Sequence, residues 1–165
     1  MINIRFANLD DLTIVEKLAR EIWPETYKDI TPPGQLEYML NLIYSNASLK
    51  NQLQNLHHTF LMVDLNEEPV GFASYSIIED GIAKLHKIYV HQRTQGKGIG
   101  RLLIDFIAAE LRTQNVKALR LNVNRNNKAR FFYEKLGFTV ITEEDIDIGN
   151  GFFMTDYVME MPIDK

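Results

Sequence analysis

The stretch that decides the fold is "HQRTQGKGIGRLL", residues 91–103. Its three glycines, Gly96, Gly98 and Gly100, alternate with single non-glycine residues. An apolar, strand-like run covers residues 83–90, and a run with apolar residues at helical spacing follows. Glycines between a strand and a helix let backbone N–H groups close around an anion, because the first N–H groups of a helix lack internal partners. The segment therefore predicts an anion site at a helix start.

Two common phosphate-binding patterns do not fit this segment. The dinucleotide pattern G-x-G-x-x-G requires a glycine where Arg101 stands. The Walker pattern requires a glycine at His91 and a serine or threonine at Gly98. What remains is Q-x-x-G-x-G, beginning at Gln95, which predicts either a pyrophosphate site or a tight turn that binds nothing. Three basic side chains accompany it: Arg93, Lys97 and Arg101.

Outside the segment, hydrophobic periodicity predicts the order β-α-α-(α)-β-β-β-α-β-α-β-β. The unit around the glycines joins two strands through a helix, so those strands should be parallel. The remaining connections indicate antiparallel pairs. We therefore expect an α/β fold of the α+β type in one domain over residues 1–165. Its mixed, mostly antiparallel central sheet should be flanked by helices, with one parallel β-α-β crossover at the glycine segment.

Composition excludes several classes of protein. The formal net charge of −4 argues against a nucleic-acid partner. The absence of cysteine excludes disulfides, a thiolate nucleophile and cysteine-type zinc sites. His57, His58 and His91 show no metal-ligand spacing with acidic residues, so we expect no metal. No signal-peptide core and no apolar run near the ~20 residues of a membrane span are present, so a cytoplasmic protein without a membrane partner is expected.

A second stretch, "LNVNRNNKARFFYEKLGF" at residues 121–138, follows the glycine segment. Together the two stretches resemble the GCN5-related N-acetyltransferases, the GNAT family. The match covers residues 83–138, about a third of the chain, and both motifs occur in the family's order on the predicted elements. The residues that carry the resemblance are Leu85, Ile88, Tyr89, Val90, Gln95, Gly98, Gly100, Asn126 or Asn127, Ala129, Phe132, Tyr133, Gly137 and Phe138.

The resemblance implies acetyl-coenzyme A as cofactor. Its pyrophosphate would lie on the backbone N–H groups of Gln95, Gly96, Lys97, Gly98, Ile99, Gly100 and Arg101. Its pantetheine arm would pair with the strand at Ile88, Tyr89 and Val90, where this strand and the next one splay apart. One asparagine would also face the cofactor. The family's spacing selects Asn126, counting from the preceding strand selects Asn127, and Asn124 is a third candidate.

The activity implied is transfer of an acetyl group from acetyl-CoA directly to a primary amine in a ternary complex. The chain has neither a cysteine nor a G-x-S-x-G elbow to hold the acetyl group. Tyr133 would assist the leaving sulfur, and a backbone N–H of residues 88–90 would stabilise the oxyanion. Full proton transfer from a tyrosine to a thiolate is uphill by about 2 kcal/mol, so a hydrogen bond to the thiolate is the easier role. Spacing alone favours Tyr133 as a core residue of its helix, and the family resemblance reverses that preference.

Candidates for the general base are Glu79 and His86, although lone ionisable residues on strands are often structural. For the acceptor site, Trp23, Tyr27 and Tyr44 lie where the family builds its acceptor pocket, and aromatic rings hold alkylammonium groups. A looser resemblance to bacterial spermidine/spermine-type acetyltransferases adds Asp156. The acidic segment "EEDIDIGNG", residues 143–151, could attract a cationic amine, but a solvated turn is its default interpretation.

The expected function is therefore an acetyl-CoA-dependent N-acetyltransferase acting on a small amine, with a polyamine as one candidate. Three alternatives stay open. The chain could act on a protein or peptide amine, serve as a non-catalytic acetyl-CoA-binding regulatory module, or bind another nucleotide. Many GNAT proteins dimerise, so a homodimer is a further expected partner.

Overall fold

The structure is a computed structural model that describes residues 1–163. Five α-helices and seven β-strands follow one another in the predicted order. The helices are α1 (Leu12–Tyr27), α2 (Gln35–Tyr44), α3 (Asn46–Gln54), α4 (Ile99–Arg112) and α5 (Ala129–Leu136), with 3-10 turns at Leu9–Asp11 and Gln92–Thr94. The strands are β1 (Ile2–Phe6), β2 (Thr59–Leu65), β3 (Glu68–Glu79), β4 (Ile82–Val90), β5 (Ala118–Asn124), β6 (Thr139–Gly149) and β7 (Phe152–Pro162).

The seven strands form one mixed sheet in the order β1-β2-β3-β4-β5-β7-β6. The pairs β1–β2, β2–β3, β5–β7 and β6–β7 are antiparallel, whereas β4 and β5 are parallel. The parallel pair brackets α4, because a parallel connection needs a crossover element. The predicted mixed sheet with one β-α-β crossover and flanking helices is confirmed.

Contacts within the chain divide it into two compact units. Unit 1 consists of Met1–Ser76 and Lys87–Ile104, and unit 2 of Ile77–His86 and the chain from Asp105 onward. The boundaries fall inside β3, β4 and α4.

Unit 1 has a core built by α1 against its neighbouring elements. The apolar positions of α1 recur at helical spacing, and Leu12, Val15 and Ile22 are at most 1% exposed. The helix is longer than its apolar pattern predicts, because it continues through Pro24 to Tyr27. A proline inside a helix removes one backbone hydrogen bond, so the sequence predicts that α1 ends before Pro24.

Unit 2 contains β5 between β4 and β7, with Leu119 and Leu121 buried on one side of the strand. Helix α5 ends at Gly137, whose φ of +111° and N–H bond to the Glu134 carbonyl make the predicted left-handed cap. The prediction of a turn over residues 143–151 is wrong for residues 143–149. Residues up to Gly149 belong to β6, and the turn is confined to Asn150 and Gly151.

Candidate active site

The glycine segment lies in unit 1 and is fixed by the hydrogen bonds that precede it. The N–H of His91 donates to the Val70 carbonyl at 2.7 Å. The hydroxyl of Thr94 donates to the His91 carbonyl at 2.9 Å, and Thr94 is buried. These bonds close the 3-10 turn and direct the backbone into α4.

The glycines leave an open cradle before α4. Gly96 and Gly98 have φ values of +88° and +74°, and a Cβ built on either would meet no atom within 4 Å. The helix ladder begins with the Leu102 N–H bonded to the Gly98 carbonyl at 3.1 Å, so the N–H groups just before it point out of the helix end. The exposed Lys97 and Arg101 add positive charge. The cradle therefore fits a pyrophosphate.

The predicted pantetheine-binding residues Ile88, Tyr89 and Val90 are half-buried at the end of β4. Strand β3 lies close to this stretch at Gly71, where an added Cβ would be 2.7 Å from the Tyr89 carbonyl oxygen. The Tyr89 hydroxyl also lies 2.8 Å from the Tyr27 hydroxyl of α1. Two neighbouring elements thus fix the backbone and side chain of this stretch.

The three aromatic acceptor candidates of unit 1 are packed together in its core. Trp23, Tyr27 and Tyr44 are 3%, 8% and 0% exposed. The Trp23 ring lies 4.8 Å from that of Tyr27 and 5.2 Å from that of Tyr44. Burial raises the pKa of Tyr44 well above its usual value, so its phenol is neutral. In this packing Tyr44 shows no surface to a ligand.

The cation beside these rings is Lys87 of β4, which the sequence analysis did not single out. Its Nζ lies 5.5 Å from the Tyr44 ring centre and 5.6 Å from that of Phe60, and it donates to Gln52 Oε1 at 2.5 Å. Burial lowers the pKa of Lys87 to about 7. The alternation of β4 could have indicated that Lys87 is buried, because Lys87 shares its face of the strand with the buried Ala83 and Leu85.

In unit 2, Tyr133 lies on α5 and is 8% exposed. Its ring lies 5.4 Å from Phe132 and 5.8 Å from Phe138. These contacts fix the ring, so a role for its hydroxyl and a role in the core are compatible.

The candidate asparagines differ in what their side chains bind. Asn124 Oδ1 accepts the N–H of Asn126 at 2.8 Å, and Asn127 Oδ1 accepts the N–H of Ala129 at 2.9 Å at the start of α5. The exposed Asn126 makes no side-chain hydrogen bond within residues 1–163. Asn126 therefore has its whole amide available for a ligand.

The parallel ladder of unit 2 is short. It runs from Ile82–Ala118 to Leu85–Leu121, whereas β5 continues to Asn124 with β7 still as its partner. On its β4 side, the described ladder of β5 thus stops three residues before the strand ends. An edge of free N–H and C=O groups can pair with an amide-containing ligand.

The remaining ionisable candidates are also in unit 2. Glu79 is exposed at the end of β3, and His86 is half-buried on β4. Asp156 is buried on β7, opposite Asn124 of β5. Burial raises the pKa of Asp156, against opposing contributions from the Asn122 hydrogen bond and the charge of Lys84.

Residues 1–163 contain neither a cluster of metal-ligating side chains nor a helix suited to cross a membrane. No group of three or more His, Asp or Glu side chains is arranged to hold a metal ion. None of the helices in this range has both the length and the apolar character needed to cross a membrane.

The chain matches the family model described as the acetyltransferase (GNAT) domain over residues 26–161. It is 32% identical over 158 residues to a Thermoplasma acidophilum protein named spermidine N(1)-acetyltransferase, covering 93% of this chain and 95% of that protein. It is also 30% identical over 120 residues to the ribosomal protein bS18-alanine N-acetyltransferase of Haemophilus influenzae, covering 72% of this chain and 77% of that protein.

Among solved structures, the fold superposes on the PaiA N-acetyltransferase of Thermoplasma acidophilum in complex with coenzyme A. The TM-score is 0.82 at 29% sequence identity, covering 98% of this chain and 99% of that chain. The sheet order, the two sequence motifs and these matches agree with one another.

Proposed function

Because the chain belongs to the GNAT family and is an acetyl-CoA-dependent N-acetyltransferase, we propose that its acceptor is a small primary amine of the polyamine class. The observation that carries this proposal is the extent of the match to the spermidine N(1)-acetyltransferase, which spans 93% of this chain. The match to the ribosomal-protein enzyme spans 72%. Regions outside the cofactor motifs thus also resemble a polyamine enzyme, and those regions form acceptor sites in this fold.

The charge of unit 2 supports a cationic acceptor. Strand β6 carries Glu143, Glu144, Asp145 and Asp147 on an exposed edge of the sheet. Arg125 neutralises part of this charge through Glu143 and Asp145. The remaining carboxylates raise the local concentration of a polycation, an attraction that salt screens.

The cofactor supplies the acetyl group as a thioester, whose carbonyl carbon is the electrophile. We assign its pyrophosphate to the cradle at Gly96 and Gly98, because this cradle combines open space with the N-terminus of α4. The side chains of Lys97 and Arg101 supply countercharge. Backbone groups of residues 88–90 bind the pantetheine amides, and one N–H in this stretch stabilises the oxyanion.

Tyr133 is proposed to stabilise the departing sulfur. Tyrosine titrates near 10 and a thiol near 8.5, so Tyr133 donates a hydrogen bond more readily than a whole proton. The two ring contacts of Tyr133 hold the phenol in one orientation, which a positioned donor requires.

Transfer is proposed to be direct. The chain contains no cysteine, so no thiolate can form an acetylated protein intermediate. Direct transfer requires both substrates on the protein together. Initial rates measured against both substrates should then give intersecting double-reciprocal lines, whereas parallel lines would contradict the ternary complex.

The acceptor proposal is tested by comparing kcat/KM for spermidine, spermine and putrescine with that for a peptide beginning with alanine. We expect the best polyamine to exceed the peptide by at least about 100-fold, or about 2.7 kcal/mol of transition-state binding. Preference for the peptide would contradict the polyamine proposal and favour the second candidate. That candidate, a peptide N-acetyltransferase, is supported by the relative that modifies a ribosomal protein.

A further inference from the structure

Three polar side chains converge on one face of unit 2. The amide nitrogen of Asn122, on β5, donates to Glu144 Oε1 of β6 at 2.9 Å and to Asp156 Oδ2 of β7 at 3.2 Å. The register explains the arrangement, because Asp156 stands opposite both Asn124 and Glu144. A single amide group therefore bridges two carboxylates.

Asp156 differs from its acidic neighbours Glu143 and Glu160 in having no cation as partner, and it differs from Glu144 in being buried. Glu160, four residues along the same strand, pairs with Arg120 at 2.7 Å. On β6, Glu143 pairs with Arg125. Within residues 1–163, Asp156 forms no ion pair, although it is only 3% exposed. A buried carboxylate without a cation is costly, and such groups occur preferentially at functional sites.

The surroundings of Asp156 increase its proton affinity. Burial is the largest cause of its raised pKa, and the charge of Glu144 acts in the same direction. The hydrogen bond from Asn122 and the charges of Lys84 and Arg125 oppose it. A carboxylate with a raised pKa is a better base than a solvated one.

Asp156 also lies at a particular point of the sheet. It faces Asn124, the last residue of β5, in the part of β5 beyond the end of the β4 ladder at Leu121. The carboxylate is therefore one strand away from a free edge of β5, which can pair with an amide-containing ligand.

We infer that Asp156 accepts the proton that the acceptor nitrogen loses as it is acylated. The inference rests on the proposed function. Asn122 orients the carboxylate by its hydrogen bond, and is a positioning residue.

The proposed proton transfer accompanies formation of the C–N bond. The ammonium first loses one proton to solvent, and the neutral amine forms a C–N bond to the thioester carbonyl carbon. As nitrogen becomes positive, its second proton passes to the Asp156 carboxylate. The C–S bond breaks with its electron pair on sulfur, Tyr133 stabilises the thiolate by a hydrogen bond, and the thiolate takes a proton from solvent. Asp156 returns its proton to solvent.

The test compares Asp156→Asn with the matched carboxylate variant Glu160→Gln on the same strand. We expect kcat/KM for spermidine to fall at least about 100-fold in Asp156→Asn. The affinity for coenzyme A, measured by calorimetry, should stay within about threefold. Glu160→Gln should keep near wild-type kcat/KM. Wild-type kcat/KM in Asp156→Asn would overturn the inference while leaving the proposed function intact, whereas an inactive wild-type protein would refute the proposed function itself.

The pH profile separates proton transfer from a structural role. In the wild type, log kcat/KM should rise with slope one at neutral pH, because the ammonium must deprotonate, and with slope two below the pKa of Asp156. Asn122→Ala removes a bond that favours the charged carboxylate, so the bend should move to higher pH. Carboxyl ¹³C chemical shifts should show the same upward move without turnover. If neither the bend nor the carboxyl titration moves in Asn122→Ala, the inference is contradicted. This test remains decisive even if Asp156→Asn does not fold.

Discussion

Lys87 is a buried lysine that the alternation of β4 indicates, yet it was not among the predicted site residues. It sits at a position of β4 that alternation assigns to the interior, where its ammonium meets the Tyr44 and Phe60 rings and Gln52. A lysine is almost never fully buried without a partner. Here an amide oxygen and two ring faces take the place of a carboxylate, so Lys87 stays buried at the expense of its charge.

Lys87 should make stability depend on pH. Its pKa is about 7 in the folded chain and near 10.5 when solvated, so between these values only the unfolded chain binds the proton. The free energy of unfolding should therefore rise with pH across this window, by up to about 1.4 kcal/mol per unit. Lys87→Met removes this contribution.

Urea denaturation of both proteins at pH 7, 8 and 9 measures the effect. The stability of the wild type relative to Lys87→Met should increase with pH. The control Lys50→Met, at an exposed position of α3, should give a difference that does not change with pH. A pH-independent difference for Lys87→Met would contradict the lowered pKa.

Tyr133→Phe should lower kcat by about 100-fold, because it removes a positioned donor to the leaving sulfur. The ring contacts to Phe132 and Phe138 remain, so the affinity for coenzyme A should not change. Steady-state kinetics and calorimetric titration check the two halves. Tyr157→Phe, at a half-buried tyrosine of the same unit, serves as control. Equal kcat in both variants would assign Tyr133 to the core alone.

At the scale of the element, the segment before α4 can be tested by a pair of matched glycines. Gly98 and Gly151 have φ values of +74° and +80°, and a Cβ on either would meet no atom within 4 Å. Alanine at either position should thus cost a similar ~1 kcal/mol in backbone strain.

Only Gly98→Ala places a methyl group in the proposed pyrophosphate cradle. We expect its affinity for coenzyme A to fall about tenfold or more, and that of Gly151→Ala, in the β6–β7 turn, to stay at the wild-type value. Calorimetric titration of both variants measures this. Equal affinities would contradict the assignment of the cradle.

The elements themselves were largely predictable, and the failures have local causes. Alternation marked β4, and Gly137 marked the end of α5. Strand β6 was missed in its second half because four acidic residues and a terminal glycine are typical of a solvated turn. The structure pairs that half with β7, and the charges are tolerated because β6 is an edge strand whose side chains face solvent.

On the scale of the whole molecule, the order of elements and the cofactor motifs could be predicted because both are local in sequence. Asp156 was a candidate from the sequence, but the arrangement of side chains around it could not be predicted. Asn122, Glu144 and Asp156 come from three strands, and their convergence depends on the register of β5, β7 and β6. Likewise, the sequence does not show that Tyr44 is fully buried behind Lys87. These contacts depend on the pairing of residues that are distant in sequence, so the spacing of residues along the chain does not predict them.

The most direct test of the central claim is a single-turnover reaction with acetyl-CoA labelled in the acetyl group, spermidine and an excess of the protein. If the chain transfers the acetyl group directly to a polyamine, the label should appear in N-acetylspermidine at the rate at which free thiol forms, with none attached to the protein. Label that stays in acetyl-CoA, is released only as acetate, or accumulates on the protein would contradict direct transfer to a polyamine.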